Sequence, residues 1–471
     1  METRIESDAL GRMEIPARAY YGIQTMRAYK NFRISGLSIH PSLIDALALV
    51  KKAAALVNME VGMLSRVPGQ AVVEATDSLL AGELRDEFIL DPLQGGAGTS
   101  LNMNANEVLA NKALELLGYE RGRYDVIHPN NHLNMSQSTN DVVPTASRMA
   151  AIFLLRDLIP EVKSLLKVFR EKQQEMDSVL RMGRTHLQDA VPIRLGQGFG
   201  AYAAVIERDC KRLEESMLSL QEINMGATAV GTGLNADLDY IELITGRLSE
   251  VSGLNLKQGA DLVDATQNID CFPLVSSSLK LMAINLSKLA SDLRLLSSGP
   301  RAGLREIILP SVQPGSSIMP GKVNPVVPEI LNQISYQLQG NDLTISSAVE
   351  AGQLELNVMM PVIIFNLLQS LEIVKNGIIT FRERCLKGIE ANQDLCRQHV
   401  ENSIGIITAI NPHVGYDQAS MVAKRAMEEE RPLREIVLEE GLLTEEELDE
   451  ILNPMEMTEP GIAGERLLEE E

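Results

Sequence analysis

Apolar positions recur every three or four residues along most of this chain, the repeat that turns one face of a helix towards a core. Between residues 152 and 169 they fall at Leu155, Leu158, Ile159, Val162, Leu165, Leu166 and Phe169. That spacing predicts a helix, with Pro160 as a kink. The same pattern runs through residues 43–64, 201–223, 274–296, 330–348 and 359–385. The stretch SSSLKLMAINLSKLASDLRLLSS is apolar around much of its circumference, as in a helix surrounded by other helices. Period-two alternation is scarce. The expected fold class is all-α, built on a bundle of long helices.

Glycine and polar clusters interrupt the helices at residues 94–100, 128–140, 183–189, 226–235 and 309–325. These are the candidate functional loops. The last part of the chain changes character: Pro432 precedes a short helical pattern, and Gly441 with the capping box Thr444–Glu447 starts another. The division this suggests is an N-terminal domain at 1–140, a central bundle at 141–395 and a small helical domain at 396–471. The closing ERLLEEE reads as a frayed, charged tail.

Composition narrows the function classes. Hydrophobic residues make up 45% of the 471 and charged residues 23%, which excludes a mostly disordered chain. Lys and Arg number 43 against 64 Asp and Glu, a net charge of −21 that argues against nucleic acid and anionic membranes as partners. A small anion remains open as a ligand, since a few local donors override the average field. Cys210, Cys271, Cys385 and Cys396 form no CxxC pair or zinc-type spacing, and fit buried thiols in a reducing compartment. METRIESDALGRMEIP lacks the apolar core of a signal peptide, and no run approaches the roughly 20 apolar residues of a membrane helix. A soluble, cytoplasmic protein without metal or cofactor is expected.

Four segments concentrate hydroxyls, amides and single cations, the groups that grip carboxylates by directed hydrogen bonds. They are GGAGTSLNMNANE with Thr99; HPNNHLNMSQSTND with Ser138, Thr139 and Asn140; GRTHLQDAVP with Arg184, Thr185 and His186; and LPSVQPGSSIMPGKVNP with Ser316, Ser317, Lys322 and Asn324. Taken singly, each is more often a solvated turn, and His186 or Lys322 alone would be unremarked. The first is no P-loop, since no GK[ST] follows, and no G-x-S-x-G elbow makes Ser316 or Ser317 a hydrolase nucleophile. In the fourth, prolines restrict the chain while Gly315 and Gly321 free it, which suits a loop that opens and closes over a substrate. Serine is a poor base in water. It acts as one only where water is excluded and backbone amides or Lys322 stabilise the alkoxide.

At GSSIMPGKVNP the chain resembles the signature of the fumarase/aspartase superfamily of lyases, which release fumarate by elimination. GTSLNMNANEVLAN, NMSQSTND, GRTHLQDAVP and the early ALGRMEIPARAYYGIQT agree in order and spacing, so the resemblance covers nearly the whole chain. Within the superfamily, VNPVVPEILNQ, AVEAGQLELNVMMP and SIGIITAINPHVGY look like the branch that deaminates L-aspartate. Class II fumarases, which release water from L-malate, are the alternative; His186 is typical of fumarases and also found in aspartases. A third reading is a helical structural protein that kept the scaffold and lost activity.

The resemblance implies a base that removes a Cβ proton, an aci-carboxylate intermediate and loss of ammonia from Cα. By motif position, Thr99, Ser138, Thr139 and Ser317 would donate to the β-carboxylate. Lys322 and Asn324 would hold the α-carboxylate, assisted by Thr185. Asn140 and an unprotonated His186 would face the amino group. Ser316 would be the base, with Ser317 the competing assignment. The family fold implied is all-α in three domains, forming a homotetramer whose sites each draw on three subunits. No metal is required.

Overall fold

The computed structural model describes residues 2–469. An antiparallel hairpin of β1 (Thr3–Asp8) and β2 (Gly11–Pro16) opens the chain, in register from Thr3 opposite Pro16 to Asp8 opposite Gly11. Helices α1 (Ile23–Asn31), α2 (Pro41–Glu60), α3 (Arg66–Leu80) and α4 (Thr99–Leu116) follow. Next comes α5 (Thr139–Glu175), which continues through both Pro144 and Pro160. A second hairpin, β3 (Leu180–Thr185) with β4 (Gln188–Arg194), leads into α6 (Leu195–Leu218), α7 (Leu238–Ser252) and α8 (Leu262–Gln267). The remaining long helices are α9 (Cys271–Leu296), α10 (Val326–Glu350) and α11 (Met360–Arg384). Short helices α12 (Gln393–Glu401), α13 (Ile407–Val414), α14 (Tyr416–Glu429), α15 (Leu433–Glu439), α16 (Glu445–Ile451), α17 (Pro454–Thr458) and α18 (Arg466–Glu469) close the chain.

The chain forms two compact units. One comprises Met1–Pro160, Asp209–Ala283 and Ile334–Lys375; the other comprises Glu161–Arg208, Ile284–Gln333 and Asn376–Glu471. In the first, α4 is buried on nearly every face although it carries Asn102, Asn104, Asn106, Glu107 and Asn111. Its side-chain amide donors and Glu107 are spent on neighbours, whereas the side-chain oxygens of Asn102, Asn104 and Asn106 have no partner among the described residues. Glu107 accepts the backbone N–H groups of Gly22, Gln24 and Thr25, capping the start of α1, and burial pushes its carboxyl up. In the second, Phe169 and Phe199 pack with Tyr202 and Phe381. The terminal helices share one core, Ile410, Val422, Ile436, Leu448 and Ile451, with Met182 of β3.

Three expectations change. The polar stretch at 183–189 is a strand pair rather than a loop, its ladder interrupted between Met182 and Arg184. α11 lies within Met360–Gly388, a segment long and apolar enough to cross a membrane by length and composition. Ile363, Leu367, Leu371, Val374, Ile378 and Phe381 are all buried, so its hydrophobicity is that of a core helix. In the expected frayed tail, Arg466–Glu469 is a helical turn because Leu467 packs on the terminal core and Arg466 pairs with Glu450; Glu470 and Glu471 lie outside the described residues. The capping box forms as expected, with the Thr444 hydroxyl accepting the Glu447 N–H and the Glu447 carboxylate accepting the Thr444 N–H.

Candidate active site

The first unit gathers Thr99, Ser138, Thr139 and Asn140 at two helix starts. Thr99 opens α4 directly after Gly98, whose φ of +89° and closeness to Val143 (2.9 Å from an added Cβ) require glycine. Its side chain has no hydrogen-bond partner among the described residues. Ser138 caps α5: its hydroxyl oxygen accepts the Asn140 N–H at 3.2 Å, while Asp141 accepts the Ser138 N–H at 2.9 Å.

Behind them lies a buried network that fixes the direction of the Thr139 hydroxyl. Asn134 Nδ2 donates to the Gln137 carbonyl at 3.1 Å, so Asn134 Oδ1 is the acceptor for Lys51 Nζ at 3.1 Å and Asn102 Nδ2 at 3.0 Å. Asn102 Nδ2 also donates to Thr139 Oγ1 at 3.3 Å. An amide NH2 cannot accept, so the Thr139 proton must serve another partner. A carboxylate is the natural one. Burial holds the Lys51 amine down at about 7 and pushes the Asp141 carboxyl up to about 7; each charge partly offsets the other's shift.

In the second unit, Thr185 and His186 stand at the end of the β3–β4 hairpin. His186 (φ +54°) and Leu187 (φ +60°) form its two-residue turn, a conformation natural to Asn-Gly. Left-handed residues of this kind store of order 1–3 kcal/mol each and persist only where neighbours enforce them. The enforcement is visible. Asp189 accepts from the Ser403 hydroxyl at 2.8 Å, and Arg184 Nη1 donates to Glu306 at 2.7 Å. Both Thr185 and His186 are exposed, with no side-chain hydrogen bond among the described residues.

Ser316, Ser317, Lys322 and Asn324 lie on the loop before α10. The loop is closed on itself: Gly315 N–H donates to the Lys322 carbonyl at 2.8 Å, and Asn324 Nδ2 donates to the Gly315 carbonyl at 2.7 Å. A Cβ at Gly315 would lie 2.6 Å from the Lys322 carbonyl oxygen, so glycine is needed for this closure. Ser316 Oγ accepts the N–H groups of both Ile318 (3.2 Å) and Met319 (3.1 Å). Two fixed donors lower the cost of forming an alkoxide at Ser316, as an oxyanion hole does. Ser317 and Lys322 are exposed, and their side chains have no hydrogen-bond partner among the described residues. Within the second unit, no hydrogen bond among the described residues joins this loop to the hairpin turn.

The positioning groups Lys51, Asn102, Asn134 and Glu306 were not singled out from the sequence. For Lys51 there was a signal, a cation inside the apolar run ALALVKKAAALV. For the others there was none, because their roles depend on partners far along the chain.

Residues 11–340 match a family model described as a lyase, and residues 406–459 match one described as the fumarase C C-terminus. The chain is 59% identical to an aspartate ammonia-lyase from a Bacillus species over 98% of this chain and 99% of that relative. Among solved structures, it is similar to a fumarate lyase:delta crystallin from Brucella melitensis, with a TM-score of 0.95 and 48% identity, covering 98% of this chain and all of that one. A class II fumarase from Schistosoma mansoni superposes with a TM-score of 0.93 at 34% identity, over 98% of this chain and 100% of the other.

Proposed function

The chain belongs to the fumarase/aspartase superfamily of lyases, and from that premise we propose that it converts L-aspartate reversibly to fumarate and ammonia. The observation that carries this reading is full-length identity of 59% to an aspartate ammonia-lyase, against 34% to a class II fumarase of the same fold.

Ser316 is the base. Its alkoxide, held by the Ile318 and Met319 amides, takes the proton from Cβ. The electron pair moves onto the β-carboxylate, giving an aci-carboxylate dianion. The hydroxyls of Thr99, Ser138, Thr139 and Ser317 bind that group, and they tighten as charge develops. The pair then returns to form the Cα–Cβ double bond while the C–N pair leaves with nitrogen as ammonia. Lys322, Asn324 and Thr185 hold the α-carboxylate; Asn140 and His186 face the amino group. Asn324 also fastens Gly315, so loop closure and carboxylate binding share one residue.

We further propose a cytoplasmic homotetramer with each active site drawn from three subunits. The long helices support this. Leu274, Leu281 and Leu295 on α9, and Ile330, Tyr336 and Leu343 on α10, are all exposed, from 38% at Leu281 to 69% at Leu343. Apolar faces of that extent on bundle helices fit burial against further copies of the chain. The test of the chemistry is direct. Purified protein is mixed separately with L-aspartate and L-malate, and fumarate is followed by its ultraviolet absorbance. Turnover of L-aspartate is expected; turnover of L-malate with none of L-aspartate would assign a fumarase.

A further inference from the structure

The loop at residues 226–235 packs on the first turn of α5, and no step of the reaction employs it. Asn140 Nδ2 donates to the Ala229 carbonyl at 2.7 Å. Asn224 Nδ2 donates to the Asn140 backbone carbonyl at 2.9 Å. The loop is tied down next to these contacts, since Asp141 accepts the Thr228 N–H at 3.1 Å and is also bonded by the Gly226 N–H. Thr228 adopts a φ of +56°, buried, with a hydroxyl that has no partner among the described residues. A threonine in the left-handed region is held there by its surroundings.

The consequence lies in the Asn140 amide. A carbonyl only accepts, so Ala229 fixes Nδ2 towards the loop and leaves Oδ1 as the free end. Oδ1 receives no donor among the described residues. A substrate ammonium is a set of donors without an acceptor, and it needs such an oxygen. A flipped amide would present N–H groups to it and repel it.

We propose that Asn224 and the 226–235 loop are positioning elements that set the Asn140 amide with Oδ1 as acceptor, and so create the preference for a dicarboxylate bearing an amino group. This rests on the deaminase reading above. Asn224 is fully buried and acts through Asn140; its other partners are Thr266 Oγ1 at 3.2 Å and Thr145 Oγ1 at 3.4 Å.

The test compares two ligands that differ in the amino group. KM for L-aspartate and the inhibition constant of succinate are measured for the parent, Asn224→Ala and Thr228→Gly. Thr228→Gly removes no side-chain hydrogen bond but frees the backbone that aims the Ala229 carbonyl, so it carries the test if Asn224→Ala fails to fold. The expected result is a rise in KM for L-aspartate of about tenfold, the scale of one weakened charge-assisted hydrogen bond, with succinate changed less than about twofold. Equal weakening of both ligands, or no change in either, would overturn the proposal. Parent turnover of L-aspartate, measured alongside, separates failure of this inference from failure of the deaminase reading.

Discussion

Arg184 Nη1 donates to Glu306 Oε1 at 2.7 Å, and the carboxylate that receives it is wholly buried. The same carboxylate faces His399 Nδ1 at 3.1 Å and Arg181 at 3.6 Å. Arg184 directly precedes Thr185 and the left-handed His186. The ion pair therefore anchors a strained turn at which the side chains of Thr185 and His186 have no hydrogen bonds among the described residues.

Glu306→Gln should expose that dependence. It leaves Arg184 without its carboxylate in a nearly dry setting, where breaking a pair costs roughly 3–5 kcal/mol. A clear drop in Tm is expected, with kcat for L-aspartate falling as the hairpin turn relaxes. A variant with parental Tm and kcat would show that the pair anchors nothing.

The long helices were legible because their apolar period survives any choice of neighbours: the pattern at 274–296 became α9 and that at 359–385 became α11. The hairpin β3–β4 was not legible, since GRTHLQD reads as a polar loop and His-Leu is an unusual turn pair. Its strands pair through their own backbones, and its tip is anchored through Arg184 by Glu306, more than a hundred residues away. The polar segments were found as segments, but the direction of each hydroxyl was not. For Thr139 that direction comes from Asn102, Asn134 and Lys51, whose partners only the fold reveals.

Lys51 carries a pH signature. Burial holds its amine at about 7 in the folded chain, below the ordinary 10.5. Between those values the unfolded chain keeps the proton and the folded chain does not. Raising the pH therefore removes a proton from the unfolded state alone and favours folding. The Tm of the parent minus that of Lys51→Met should grow more positive from pH 7 to about pH 10. A difference that stays constant or shrinks would mean the amine is not held near 7.

If each site draws on three subunits, as proposed, inactive variants should complement one another. Ser316→Ala and Thr99→Ala should each be nearly inactive as pure tetramers. Hybrids formed by co-expression should regain part of the activity, because some sites then draw only parental segments. Hybrids shown to hold both chains but without activity, or a fully active monomer, would refute the three-subunit site.

In the proposed reaction Ser316, stabilised by the Ile318 and Met319 amides, removes the Cβ proton while other hydroxyls bind the resulting dianion. The most direct measurement pairs kcat of Ser316→Ala with its affinity for the pre-ionised nitro analogue of the substrate, whose nitronate resembles the aci-carboxylate. A fall in kcat of about 10²–10⁴ is expected, the usual share of a positioned base, with nitronate binding nearly unchanged. Retained turnover in Ser316→Ala, with turnover lost in Ser317→Ala and its nitronate binding intact, would contradict it and move the base to Ser317.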